Sequence, residues 1–311
     1  MKHRWNISTP DPAAVALLQR SLGVSPLLSQ CLVNRGLSDP AIAERFLKPR
    51  LKDLGDPFEL PDMDKAVARL WMARTNGESV VIFGDYDVDG VSSTAILLEA
   101  FESLGWKCQG YLPRRLEEGY GLSRDGVENC LKKHPTTLLL AVDCGSTATE
   151  TIGWLNSQGV DVLVLDHHQL SDPAPAAVAL VNPHRGVAGA APNRELCSAG
   201  LSFKLVHALV KRGREEGVEA FKSFDIRTLL DLVALATIAD LVPLTGENRA
   251  LVSAGLERLS TTRRPGLVAL KSVAGVKGTV TGFEVGYQLG PRLNASGRLE
   301  NAEASLHLLR A

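Results

Sequence analysis

The stretch that most constrains the fold is VVIFGDYDVDG at residues 80–90, where a short apolar run ends in three aspartates. Asp85, Asp87 and Asp89 occupy alternate positions, and a helix-forming run follows at once. Three carboxylates crowded at one strand end repel one another by several kcal/mol unless a cation lies among them. The stretch therefore predicts a divalent-metal site between a strand and a helix.

Strand and helix patterns alternate strictly in the middle of the chain. The predicted strands are Ser79–Phe83, Lys107–Leu112, Thr137–Val142, Asp161–Leu165 and Ala177–Val181. The predicted helices between them are Val91–Leu104, Ser123–His134 and Thr147–Gln158. Continuously apolar strands in strict turn with helices are typical of a parallel sheet covered on both faces. The fold class is therefore α/β, a parallel sheet flanked by helices.

Both ends of the chain are mostly helical. We predict an N-terminal helical cap and connector over residues 1–75, the α/β domain over 76–245 and a helical extension over 246–311. The helices predicted in these parts are Pro12–Leu22, Pro40–Phe46, Asp64–Arg74, Ala199–Arg212, Ile226–Asp240, Asn248–Leu259, Pro265–Val273, Gly282–Gly290 and Asn301–Arg310. Because the last amphipathic pattern runs to the final residue, we expect a fragment of a longer protein.

Composition limits the partners and the location. The net charge is −1, so no overall positive field attracts nucleic acid, and contacts with DNA must come from local arginines. No apolar run approaches the roughly 18 residues needed to cross a bilayer, and the start lacks the apolar segment of a signal peptide. The five cysteines form no CxxC pair, which favours a reducing compartment. We expect a cytoplasmic protein that binds no membrane.

Three predicted strands end in ionisable residues. They are Asp85, Asp87 and Asp89 after the first strand, Asp143 after the third, and Asp166, His167 and His168 after the fourth. Because the carboxyl ends of parallel strands share one edge, these side chains are expected to converge there. A single strand-end aspartate often caps a helix instead, and Cys144 beside Asp143 is expected to be a small buried thiol. Three such strand ends together favour a metal cluster.

A further carboxylate, Asp240, lies in an apolar run that Pro243 ends. A buried carboxylate is costly unless it is paired or bound to a metal; a salt bridge to Arg249 is the alternative. Carboxylate and imidazole ligands favour manganese or magnesium, and their number favours two ions. The glycine-rich turn of dinucleotide-binding enzymes is absent, which disfavours a dehydrogenase.

These residues resemble a known superfamily. In order, Gly84–Gly90, Val142–Gly145, Asp166–His168 and Ala239–Asp240 match the four motifs of the DHH phosphoesterases. Three more stretches are similar to the branch formed by bacterial single-strand exonucleases. They are PRR at 113–115 with GYGL at 119–122, ALATIAD at 234–240 and GPRLNASGR at 290–298.

The resemblance implies two Mn²⁺ or Mg²⁺ ions. The implied ligands are Asp87 and Asp143, with Asp85 in support, for one ion, and Asp89, Asp143, His167 and Asp240 for the other. Asp143 would bridge the two ions and is counted among the catalytic residues, together with Asp166 and His168. Many superfamily members carry a histidine four residues before the Asp87 position, where this chain has Phe83. The full ligand set of the first ion therefore stays open.

The resemblance also assigns roles near the substrate. His168 would face the scissile phosphate as a hydrogen-bond donor or general acid, with Asp166 holding the ring of His167 or His168; alternatively, His168 only orients Asp166. The substrate-binding residues implied are Arg115 at the 5′ phosphate, and Arg292, Arg298 and Asn294 along the DNA backbone.

The implied activity is metal-dependent 5′→3′ exonuclease action on single-stranded DNA, releasing 5′-mononucleotides for DNA repair or recombination. The alternatives are another phosphodiesterase of the superfamily, acting on short oligonucleotides or cyclic dinucleotides, and a non-catalytic replication scaffold. Repair proteins (a helicase and a single-strand-binding protein) are the implied partners of a monomer. Members of the branch continue into a DHHA1 domain and an OB-type domain, so weak, poorly processive activity is expected of this chain.

Overall fold

The structure, a computed structural model, describes residues 11–185, 194–299 and 302–311, without the side chains of residues 116, 298 and 299. The chain forms two compact units, Met1–Asp53 and Leu54–Ala311. The boundaries predicted at 75/76 and 245/246 stay predictions.

In its described part, residues 11–53, the first unit contains three short α-helices. Each begins at a proline, and the side chain of the preceding Asp or Ser accepts a backbone N–H of the first turn. The helices are α1 (Pro12–Leu22), α2 (Pro26–Val33) and α3 (Pro40–Leu47). Their small core is formed by Leu18, Leu32 and Ala43. The sequence pattern predicts α1 and α3 but not α2.

The second unit is built on a sheet of five parallel strands. The strands are β1 (Ser79–Phe83), β2 (Lys107–Tyr111), β3 (Leu138–Val142), β4 (Asp161–Leu165) and β5 (Ala179–Val181). Their order is β2-β1-β3-β4-β5, and Val80 of β1 pairs with Cys108 on one side and Leu138 on the other. The predicted α/β class with a parallel sheet is confirmed. The strand order reverses between β1 and β3, which is where such sheets bind ligands.

Helices cover the sheet and continue beyond it. They are α4 (Met63–Asn76), α5 (Val88–Leu104), α6 (Arg115–Glu118), α7 (Arg124–Lys133), α8 (Thr149–Ser157), α9 (Ser198–Glu215), α10 (Glu219–Ser223), α11 (Leu230–Ala239), α12 (Gly246–Ser260), α13 (Pro265–Val273), α14 (Gly282–Glu284), α15 (Gly290–Leu299) and α16 (Glu303–Arg310). A π-helical turn, Val285–Leu289, joins α14 to α15. The sequence pattern does not predict α6, α10 or α15. In the described ranges, every helix is too short or too polar to span a bilayer.

The two faces of the sheet are covered by different helices. Val81 and Phe83 share a buried cluster with residues of α7 and α8, whereas Gly110 of β2 faces Leu98 of α5 on the other side. Helix α5 is buried along nearly its whole length, because α9, α11 and α16 also pack against it. The first residues of α5 directly follow the loop after β1, so the start of this helix lies at the carboxyl edge of the sheet.

Candidate metal centre

Three carboxylates meet where β1 and β3 end. Asp85, Asp87 and Asp143 each place an oxygen within 4.8 Å of the others, and Asp85 and Asp143 are both 2% exposed. Among the described residues, Asp85 Oδ1 and Asp143 Oδ2 are buried without a hydrogen-bond partner. Buried, unpartnered carboxylate oxygens at one point fit the donor set of a hard divalent cation.

A second group of donors surrounds the His167 ring. His167 Nε2 lies 3.7 Å from Asp89 Oδ2, 3.5 Å from Asp143 Oδ1 and 3.5 Å from Asp240 Oδ2. Ligands about 2.1 Å from an octahedral ion lie about 3 Å apart, so small side-chain movements would let these atoms share one ion. The structure thus brings every predicted metal ligand into two adjoining groups linked by Asp143.

Crowding and burial raise the proton affinity of these acids. Burial and the neighbouring charge of Asp87 raise the pKa of Asp85 to about 7. Burial and the charges of Asp89 and Asp87 raise the pKa of Asp240 to about 7 as well. The pKa values of Asp89 and Asp143 are also raised, chiefly by burial. Without a cation the cluster therefore favours protons, the behaviour expected of metal ligands.

Asp87 also caps a helix. Its Oδ1 accepts the backbone N–H groups of Asp89 (2.8 Å) and Gly90 (3.0 Å) at the start of α5. The capping alternative for a strand-end aspartate thus applies here together with the metal hypothesis, because a carboxylate has two oxygens. A Cβ at Gly90 would lie 2.5 Å from the Asp85 carbonyl, so only glycine lets the loop fold this tightly.

The first turn of α9 is a part of the site that the sequence pattern does not predict. Asp89 accepts N–H groups from Ser198 (2.7 Å) and Ala199 (2.8 Å), one on each oxygen. Ser198 Oγ also donates to Asp143 Oδ1 at 3.0 Å. The sequence predicts the start of this helix at Ala199, and the only signal for Ser198 is a hydroxyl residue at a predicted helix start.

His168 is held by Asp166. Asp166 Oδ1 is 2.7 Å from His168 Nδ1 and accepts the N–H groups of His167 and His168. This hydrogen bond outweighs burial and raises the pKa of His168 to about 9. Burial would raise the pKa of Asp166, but its bonds to His168 and Ser146 lower it to about 2. Asp166 therefore acts as a positioning residue for an imidazolium ring that is half-exposed.

A buried amide side chain stabilises the loop that contains Asp166, His167 and His168. Asn182, which is fully buried, donates through Nδ2 to the His168 carbonyl (2.9 Å) and to Ser146 Oγ (2.8 Å). The backbone N–H of Ser146 in turn donates to Asp166 Oδ2 at 3.0 Å. Neither Asn182 nor Ser146 is among the predicted site residues, because each hydrogen-bonds to groups that are distant in the sequence.

Two residues beside the motifs belong to the core. Phe83, at the position where many relatives carry histidine, is fully buried and its ring stacks on Tyr111 at 5.5 Å between centroids. It therefore supplies no ligand to the first group. Cys144 is a free, buried thiol, as predicted, and burial raises its pKa.

One of the predicted substrate arginines, Arg115, lies beside Tyr86. The guanidinium of Arg115 is 5.1 Å from the Tyr86 ring centroid, and the exposed Tyr120 ring meets Tyr86 edge-on at 6.1 Å. Arg292 is exposed and its Nη1 donates to the Gln288 carbonyl at 2.7 Å. The side chain of Arg298 lies outside the described part of the structure.

Helix α15 packs on the loop that follows β1 and carries Asp85 and Asp87. Asn294 Oδ1 accepts the N–H of Val88, the first residue of α5, at 3.0 Å. A Cβ at Gly297 would lie 2.5 Å from the Tyr86 carbonyl, so the helix backbone approaches the loop closely. Residues 290–298, which resemble a DNA-binding stretch, therefore also stabilise the loop that carries Asp85 and Asp87. Substrate contact by Asn294 stays a prediction.

Gly297→Ala is expected to loosen this packing. Because the new methyl group would overlap the Tyr86 carbonyl, the variant should lose about 1–3 kcal/mol of unfolding free energy and bind Mn²⁺ more weakly. Urea unfolding and calorimetric Mn²⁺ titration measure the two effects. Gly153→Ala, at an exposed position on α8 where an added Cβ would have nothing within 4 Å, should instead add up to about 1 kcal/mol. Equal stability of the two variants would contradict the close packing.

The comparisons with known proteins agree with this geometry. The DHH family, N-terminal domain, matches residues 79–237. The chain is 38% identical over 309 residues to the single-stranded-DNA-specific exonuclease RecJ of Bacillus subtilis (strain 168), covering 99% of this chain and 38% of that protein. It is also 38% identical over 295 residues to RecJ of Haemophilus influenzae, covering 94% of this chain and 50% of that protein. It thus spans half or less of both relatives.

A solved structure shares the fold. The crystal structure of RecJ from Thermus thermophilus in complex with Mn²⁺ superposes with a TM-score of 0.80 at 31% identity, covering 98% of this chain and 42% of that one. The matched family segment runs from β1 to α11 and includes every predicted metal ligand except Asp240. The chain belongs to the DHH family.

Proposed function

We propose that the chain binds two divalent ions, Mn²⁺ or Mg²⁺, at the candidate metal centre. One ion would be held by Asp85, Asp87 and Asp143, and the other by Asp89, Asp143, His167 and Asp240. The donor atoms of Asp85, Asp87 and Asp143, and likewise those of Asp89, His167 and Asp240, lie within 4.8 Å of one another. Asp143 Oδ1 also lies 3.5 Å from His167 Nε2, and the unpartnered oxygens of Asp85, Asp143 and Asp240 support the assignment as well. The similar Thermus thermophilus structure contains Mn²⁺.

The proposed chemistry is hydrolysis of a phosphodiester. Two such ions, when bound, activate a water molecule and neutralise charge on the phosphoryl oxygens. His168 would donate a hydrogen bond or a proton to the phosphate, because its bond to Asp166 keeps the ring protonated at neutral pH. Ser198 would keep the Asp143 carboxylate oriented between the two donor groups.

We propose that the substrate is single-stranded DNA, degraded from its 5′ end to 5′-mononucleotides. The two linked donor groups at the sheet edge are the observation that carries this proposal, because they suit phosphoryl transfer by two ions. The curated relatives at 38% identity are single-stranded-DNA-specific exonucleases. Arg115 would hold the terminal phosphate, and Arg292, Arg298 and Asn294 would contact the following backbone.

We also propose a cytoplasmic monomer that works with repair proteins such as a helicase and a single-strand-binding protein. All five cysteines are free in the structure, which suits a reducing compartment. The partners are proposed from the family resemblance alone.

Digestion of end-labelled DNA tests the activity. The chain with Mn²⁺ is expected to release labelled mononucleotide slowly from a 5′-labelled single strand, and EDTA should abolish the release. A 3′-labelled strand should shorten stepwise while keeping its label, and a blunt duplex should resist. Hydrolysis of dinucleotides or cyclic dinucleotides with no action on long strands would identify a different phosphodiesterase. A chain that binds Mn²⁺ and hydrolyses none of these would be a non-catalytic scaffold.

A further inference from the structure

The segment between β2 and α7 is organised around a buried carboxylate, Glu118, which is 7% exposed. Its Oε1 accepts hydrogen bonds from Tyr111 Oη (2.5 Å) and Asn129 Nδ2 (2.7 Å). Its Oε2 accepts the backbone N–H of Arg114 at 2.7 Å. The Glu118 carbonyl also accepts Ser123 Oγ at 2.5 Å. One residue thus ties the end of β2, the short helix α6 and helix α7 together.

Arg115 and Tyr120, which flank Glu118 in the sequence, both contact Tyr86 in the loop that follows β1. Arg115 begins α6 and places its guanidinium 5.1 Å from the Tyr86 ring centroid. Tyr120, two residues after Glu118, meets the same ring edge-on. Tyr86 lies between the two metal-group aspartates Asp85 and Asp87. The position of Arg115 relative to the metal centre therefore depends on the conformation that Glu118 imposes on residues 114–120.

We propose that Glu118 is a positioning residue that holds Arg115 where it captures the 5′-terminal phosphate of the DNA. The inference rests on the proposed function and deepens it, because it concerns which strand ends the site accepts. Glu118 touches no reacting atom in this account. It acts by fixing the backbone at Arg114, one residue before the guanidinium that would bind the phosphate.

The hydrogen bonds that the Glu118 side chain accepts require a carboxylate. Three donors converge on its two oxygens, and an ionised carboxylate is a pure acceptor. A glutamine of the same shape would turn its amide N–H₂ towards at least one donor, so a hydrogen bond would become a repulsive contact. The neighbouring Glu117 provides a matched control. It is exposed, and its side chain pairs across the surface with Arg114 Nη1 at 3.3 Å.

Kinetics on two strand ends test the role of Glu118. Glu118→Gln is expected to raise KM for a 5′-phosphorylated strand about tenfold and to change kcat less than twofold, because one anchoring hydrogen bond is lost. KM for a 5′-hydroxyl strand should stay unchanged. Arg115→Ala should likewise raise KM for the 5′-phosphorylated strand and leave KM for the 5′-hydroxyl strand unchanged. Glu117→Gln should have the wild-type KM for both strands. An unchanged KM in Glu118→Gln would overturn the proposal.

Limited trypsin digestion provides a readout that needs no activity, since the segment contains Arg114 and Arg115. Cleavage after these arginines should be about tenfold faster in Glu118→Gln than in the wild type or Glu117→Gln, because the segment opens more often. Equal cleavage rates would show that Glu118 does not stabilise the conformation of residues 114–120. Wild-type protein that digests neither strand would instead refute the proposed function, and trypsin would still test Glu118.

A milder variant covers the case in which Glu118→Gln fails to fold. Tyr111→Phe removes one donor from Oε1 and leaves the bonds from Asn129 and Arg114. It should raise KM for the phosphorylated strand and the trypsin cleavage rate about threefold each. Wild-type values of both quantities in a folded Tyr111→Phe protein would overturn the proposal.

Discussion

Asp143→Asn is expected to slow Mn²⁺-dependent digestion of single-stranded DNA by a factor on the order of 10³ or more. Asp143 is the residue shared by the two donor groups, and its Oδ1 lies 3.5 Å from His167 Nε2. In asparagine one oxygen is replaced by an NH₂ group that cannot bind a cation, so the charged bridge between the two proposed ions is lost. Initial rates on a 5′-labelled strand at saturating Mn²⁺ measure the effect.

Asparagine is the better substitution here because the backbone of Asp143 is left-handed, with φ of 62°. Asparagine tolerates this conformation, whereas alanine would add about 1 kcal/mol of strain to the lost charge. Asp125→Asn removes an exposed carboxylate at the start of α7 and should keep the wild-type rate. If Asp143→Asn retained more than a tenth of that rate, Asp143 could not be a bridging ligand.

The sequence was sufficient to predict the convergence of the metal ligands. Parallel strands place their ends at one edge, so the acids after β1, β3 and β4 had to meet once the alternation of strands and helices was recognised. Asp240 was found because a carboxylate in an apolar helix needs a partner. In the structure Asp240 Oδ2 has no hydrogen-bond partner among the described residues and lies 3.5 Å from Nε2 of the His167 ring that also faces Asp89 and Asp143, as expected for a shared metal ligand.

The supporting contacts could not be predicted in the same way. Ser198 donates to Asp143 across 55 residues of sequence, and Asn294 accepts from Val88 across 206. Neither pair has a local pattern, because a hydroxyl or amide becomes part of a site only through packing. The π-helical turn before α15 adds to this difficulty, since it changes the helical period that a pattern would reveal.

For some site residues the sequence predicts one role, whereas the structure shows a second or a different one. Asp87 was expected either to cap a helix or to bind a metal, yet its position after β1 allows both. Asp166 was counted as catalytic, yet both of its oxygens are occupied by the His168 loop and Ser146. A residue type and its spacing therefore predict membership of a site better than they predict the role within it.

The stability of the metal-free protein is expected to fall as the pH rises from 5.5 to 8. The pKa values of Asp85 and Asp240 are raised from 3.8 to about 7 in the folded protein. The folded state therefore binds more protons than the unfolded state between about pH 4 and 7, so the unfolding free energy decreases with pH by a few kcal/mol. Thermal unfolding in EDTA across this range measures the decrease.

Other ionisable groups of the site modify this slope without reversing it. The pKa of His168 is raised to about 9, so its contribution is present at low pH and is also lost on going to alkaline pH. Asp166, with a pKa lowered to about 2, contributes equally throughout the range. His167 opposes the slope, because burial lowers its pKa and the unfolded state gains its proton below about pH 6.5. Burial also lowers the pKa values of His134 and His207, which oppose the decrease in the same way. The four metal-centre acids with raised pKa values, together with His168, outnumber these three histidines.

Millimolar Mn²⁺ should reverse the trend, raising Tm by about 5 °C at pH 8 and by little at pH 5.5, because the ion competes with protons for the same oxygens. Asp85→Asn removes one raised carboxylate, so its metal-free stability should depend less on pH and its gain from Mn²⁺ should shrink. Asp64→Asn, at an exposed position on α4, should behave as the wild type in both respects. Equal Mn²⁺ stabilisation at the two pH values would show that the ion binds elsewhere than at these carboxylates.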